Sequence, residues 1–179
     1  MNGNIHLKYA DERDKSYGVA GMAIAVVAYD CEDMLASVSI DAAPGHNLEF
    51  GNEMAFNGNP RLSAKLAWNE LLKHYRLATG LLVANAMSRH YVQHRRRLPG
   101  ETQRALHDVL HTCGAADEVQ LDADEVDEVL TSNYQFFDRL FQMQVVHDAT
   151  HRLASDLVAQ RTLSAAEVLD RLAAMMRVL

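Results

Sequence analysis

The chain of 179 residues has two cysteines, three prolines and one tryptophan. Cys31 and Cys113 are too few and too far apart in sequence for a disulfide framework, so a reducing cytoplasm is the expected setting. The longest apolar run near the N-terminus, Gly18 to Tyr29, is too short to span a bilayer. It follows the mixed-charge segment Asp11–Lys15 instead of a basic one, and no cleavage site follows, so neither a membrane anchor nor a signal peptide is expected. Catalytic signatures are missing too. There is no G-x-x-x-x-G-K-[ST] or G-x-G-x-x-G phosphate loop, no H-E-x-x-H, no E-x-x-H of di-iron bundles, no C-x-x-C and no G-x-S-x-G. Cys31, between Asp30 and Glu32, is in the wrong charge environment for a nucleophile.

What is present is ordinary globular material. Hydrophobic residues make up 49% and charged residues 23%, which excludes wholesale disorder and suits one domain, residues 1–179. The net charge of −7 is unevenly spread: residues 1–59 carry −6, residues 60–113 carry +6 and residues 114–179 carry −7. A basic middle between acidic ends reads first as neutralisation, within the chain or across a dimer. An open basic face for nucleic acid is the sharper alternative, disfavoured by the overall acidity.

Periodicity points to a mainly α fold: a bundle of about six helices around a long central helix, 60–97, with a small β-hairpin or extended arm at 36–56. Residues 1–10 read as a loose terminus, 36–59 as arm and loop, and 60–179 as the helical core. Asn59 and Pro60 start the central helix, and Leu98-Pro99-Gly100 stops it. Its centre, Leu77–Met87, is apolar on nearly every face and belongs inside the bundle. A straight helix of that length would reach about 57 Å, against about 40 Å for a compact domain, so a bend near Thr79-Gly80 or a projecting basic end is expected. Other helices are expected over Asp11–Leu35, over Glu101–Cys113 with Gly114 as C′ residue, after an Asp122 or Asp124 cap, from about Ser132, through Val145–Val158, and after a Ser164/Glu167 capping box. Val38, Ile40, Leu48 and Phe50 would share one face of the arm.

Histidine placement is the unusual feature. Three of the pairings among nine histidines are spaced i, i+4: His90/His94, His107/His111 and His147/His151. On a helix that spacing puts both imidazoles on one face, where they can chelate a transition metal. Two pairs share the form H-D-x-x-H, so His107, Asp108, His111, His147, Asp148 and His151 are the candidate ligands, for zinc or nickel. The ordinary alternative is a set of half-exposed polar positions beside apolar stripes.

Arg89–His94, R-H-Y-V-Q-H, resembles the R-φ-x-x-x-H motif of HEPN-family RNases. The resemblance covers Arg89, His90 and His94, and implies a metal-independent RNA-cleaving site formed across a dimer of helical bundles. The adjoining Arg95, Arg96 and Arg97 are candidate phosphate contacts, with Tyr91 as a stacking partner. Cations collecting at a helix C-terminus explain them equally well. With catalytic signatures missing and an arm that needs a surface, the expectation is a non-enzymatic cytoplasmic interaction or regulatory module. It would act as a homodimer or with another protein, without an obligatory cofactor. Metal binding and RNA binding or cleavage are the alternatives.

Overall fold

The computed structural model describes residues 8–43, 45–51, 64–113, 116 and 120–179. Its elements run α1 (Glu12–Ala28), β1 (Leu35–Ser39), β2 (Leu48–Phe50), α2 (Ala64–Met87), a π-helical turn (Ser88–Gln93), α3 (Gly100–Thr112), α4 (Ala123–Gln142), α5 (Gln144–Gln160), β3 (Thr162–Ser164) and α6 (Ala165–Met176). The fold is mainly helical with a small antiparallel sheet. The start expected at Asn59-Pro60, the arm beyond Gly51 and the Gly114 cap lie outside the described residues.

α1 is enclosed on nearly every side. Asp11 caps it, accepting from Asp14 N–H at 2.7 Å. Its small residues let α2 come close: a Cβ on Gly21 would stand 2.3 Å from Ser88 Oγ and 2.5 Å from the Ala84 carbonyl. Val19, Ala20, Ala23, Ile24, Ala25 and Val26 are fully covered. The helix ends seven residues before the expected Leu35. Asp30 adopts φ 51°, and the Asp30 and Cys31 N–H groups return to the Val27 and Val26 carbonyls. That is a Schellman stop, with aspartate in the left-handed position that glycine usually takes.

The freed chain forms β1, which pairs antiparallel with β2 as Val38 opposite Leu48. Val38, Ile40 and Leu48 are buried and Phe50 is half-buried against the core, as the alternation requires. A third strand, β3, pairs with the other edge of β1 through Val38 and Leu163, giving the order β2-β1-β3. A segment of three residues has no periodicity to betray it.

α2 packs beside α1, and Leu77, Val83, Ala84, Ala86 and Met87 are buried. It is continuous through Thr79 and Gly80. The irregularity falls later, in the π-turn, and the chain leaves the helix at His94, before the arginines. α4 is one helix with no restart at Ser132, because Val126, Val129, Leu130, Asn133, Phe137, Leu140 and Phe141 keep an unbroken three-and-four-residue spacing. Asp122/Glu125 and Ser164/Glu167 form capping boxes. Cys113, at the C-terminal end of α3, is exposed. No helix among the described residues is long and apolar enough to cross a membrane.

Candidate functional site

α3 buries Ala105, Leu106 and Leu110. His107 and His111 are thereby left one turn apart on its flank, with ring centroids 4.2 Å apart. α4 buries Val126, which turns the neighbouring Asp127 toward α3. Asp127 Oδ1 lies 2.9 Å from His111 Nε2 and 3.2 Å from His107 Nε2. All three candidate ligand atoms fall within 4.8 Å of one another. Ligands about 2.0–2.2 Å from a tetrahedral zinc are about 3.3 Å apart, so little movement would admit a metal ion. Asp108 Oδ1 stands 3.6 Å from His107 Nδ1, on the ring side away from Asp127. A carboxylate there suits the outer partner that orients a metal-bound imidazole. The His111 hydrogen bond, helped by the charges of both histidines, holds the Asp127 carboxyl below its usual range. The cluster faces solvent, which leaves coordination positions open to water or another ligand.

The π-turn makes a different centre. In an α-helix residues five apart diverge around the axis. Here His94 N–H bonds to the Arg89 carbonyl at 3.3 Å, so the two fall on the same side. Arg89 is buried and grips Asp14 with both arms: Nε to Oδ1 at 2.8 Å and Nη2 to Oδ2 at 2.6 Å. Nη2 also donates to the Lys8 carbonyl at 2.8 Å, and the guanidinium lies 5.0 Å from the Tyr9 ring centroid. Burial pushes the Asp14 carboxyl up. Arg89, the Ala10 N–H and the charge of His94 outweigh that and leave it below its usual range. Arg89 therefore ties the start of α1 to the end of α2. His90 is half-buried, and burial with the charge of Arg89 holds it below its ordinary value.

The second H-D-x-x-H pair lies on α5 against α1. The His147 and His151 rings are 4.8 Å apart. His151 Nδ1 meets the Tyr17 hydroxyl at 2.6 Å. His147 is 8% exposed, and its Nδ1 has no hydrogen-bond partner among the described residues. Both imidazoles are pushed below their ordinary value, first by burial and then by Arg95; Arg13 adds to this at His151. Arg95 is exposed and holds φ 54°, at the corner where the chain leaves the π-turn.

The two H-D-x-x-H pairs do not converge. The metal-capable group among the described residues is His107, His111 and Asp127, without Asp108, His147, Asp148 or His151. Asp148 accepts from Gln144 Nε2 at 2.7 Å on its own helix. Arg96 and Arg97 are exposed. Sequence reasoning passed over Asp127, Arg13 and Tyr17. Asp127 sits in an acidic run where any of several carboxylates was eligible, and only the packing of α3 on α4 singles it out. Comparison with family models, curated proteins and solved structures finds no match to this chain.

Proposed function

We propose that the protein is a transition-metal-binding helical module whose ligands are His107, His111 and Asp127. One observation carries this reading: a carboxylate from α4 meets both imidazoles of α3 at 2.9 and 3.2 Å, spacings close to those around zinc. The ion would staple α3 to α4, and zinc or nickel suits the two-nitrogen, one-oxygen donor set. The protein stays in the class of binding modules, with a metal as the ligand.

The test is zinc titration of metal-stripped, untagged protein by calorimetry. One equivalent should bind, and His111→Ala and Asp127→Ala should each weaken it by about tenfold or more. Zinc should raise the melting temperature of the parent and not of the variants, because a ligand that binds the folded state stabilises it. No stoichiometric uptake, or equal uptake by the double variant, overturns the proposal.

A further inference from the structure

The basic middle of the chain meets the acidic ends through one arginine–carboxylate pair among the described residues, Arg89 with Asp14. The three arginines that follow the π-turn are left over. Arg95, Arg96 and Arg97 are exposed and pair with no carboxylate among the described residues. Contacts along the α3–α4 edge fix where they stand. The two helices run antiparallel: the Tyr134 hydroxyl donates to the Gln103 carbonyl at 3.4 Å, and His111 meets Asp127 at 2.9 Å. At the Tyr134 end, Tyr91 donates to Asp138 just before the arginines, and the buried Leu98 accepts from Gln103 at 3.2 Å just after them. Arg139 is exposed on α4 at this end, and Asp124 and Glu128 are exposed at the other, all three without an ion pair among the described residues. Val126, Leu130, Phe137 and Phe141 fill the buried side of α4, so Asp124, Glu128 and Arg139, offset by four and then eleven residues, share the side facing water. Eleven residues of helix span about 16 Å. Charges in solvent are screened beyond about 10 Å at 0.1 M salt, so the two ends do not neutralise each other within one chain.

We infer that the outer face of α3 and α4 binds a second copy of this chain, turned end for end, so that Arg97 and Arg139 of each copy meet Asp124 and Glu128 of the other. A twofold axis across the face makes both contacts at once. Charge complementarity selects this occupant. A net charge of −7 opposes a polyanion at the arginine end, whereas a second copy offers carboxylates at the matching spacing, and only the end-for-end alignment keeps like charges apart. The contact is polar and lies at the surface, so it is weak and depends on ionic strength. His107, His111 and Asp127 lie on the same edge, so the contact is measured without metal, and its failure leaves the metal reading standing.

The experiment is sedimentation equilibrium of the full chain with a chelator present. In about 50 mM sodium chloride the parent should associate reversibly to a dimer, and about 500 mM should weaken the association by about tenfold or more. Arg97→Glu with Arg139→Glu, and separately Asp124→Lys with Glu128→Lys, should each be monomeric at concentrations where the parent is dimeric. All four side chains are exposed, so both variants should keep the parent's circular dichroism. An equimolar mixture of the two should dimerise again, because each end then meets its opposite. A parent that stays monomeric in low salt overturns the inference. So do variants that dimerise like the parent, or a mixture that stays monomeric. Salt-sensitive binding of a short RNA by a monomeric parent, lost in the arginine variant, would also overturn it and assign the arginines to nucleic acid.

Discussion

The H-D-x-x-H motif occurs twice, and its two copies meet opposite surroundings. On α3 the imidazoles stand in solvent and face Asp127, an acceptor that welcomes a proton or a metal ion. On α5 they lie against α1, where His151 meets the Tyr17 hydroxyl, and burial, helped by the charge of Arg95, disfavours a proton on either ring. The same five-residue pattern therefore meets a carboxylate at one edge and a tyrosine hydroxyl in covered surroundings at the other. The difference comes from the neighbouring helix: α4 presents a carboxylate, whereas α1 presents the Tyr17 hydroxyl. Spacing along one helix sets how two side chains relate to each other, but the charge facing them belongs to another element.

The covered side should be fragile and the open edge tolerant. The largest effect is expected at Arg89. Arg89→Met strands the buried Asp14 carboxylate and should lower the unfolding free energy by about 3–5 kcal/mol in urea denaturation. A loss below about 1 kcal/mol would show that the pair is idle. Next come two glycines that divide along the same line. Gly21→Ala drives a methyl into the Ala84 carbonyl and should cost about 1–3 kcal/mol. Gly100→Ala, at the start of α3 with nothing within 4 Å of the added carbon, should stay within about 0.5 kcal/mol of the parent. Similar costs at both glycines would erase the contrast.

The smallest effect is in the pH dependence. His90, His147 and His151 have folded pKa values below the ordinary histidine value, so the unfolded chain binds more protons as the pH drops through about 6.5. Stability should be full above that pH and decline below it. Asp14, held below its ordinary value, contributes until the pH falls through its own lower folded pKa. His147→Gln should flatten the first decline in melts collected across this range. An unchanged slope would mean that His147 titrates alike in the folded and unfolded chains.

Much of the architecture was legible because it follows from local periodicity. The capping boxes at Asp122/Glu125 and Ser164/Glu167, the apolar stripes of α4 and α6, and the alternation through Val38 and Ile40 each belong to one segment, and each forms in the fold. One ion pair joins the basic middle to an acidic end: Arg89 meets Asp14 of the first third. Failures came where a local signal was weak or non-local contacts overrode it. The early stop of α1 rests on one aspartate in the left-handed region, and β3 on pairing with a strand more than a hundred residues away. α2 runs on through Gly80, where the Tyr29 ring fills the space a side chain would need.

Residue order alone established that the two H-D-x-x-H motifs each put their histidines on one helical face, because an α-helix repeats every 3.6 residues or so. It also set the buried stripes, since apolar spacing dictates which face leaves water. Which pair meets a carboxylate and which meets a tyrosine hydroxyl was decided only by the packing of α3 on α4 and of α5 on α1. Those contacts join residues far apart in the chain, and the charge one helix lends another has no trace in either segment by itself.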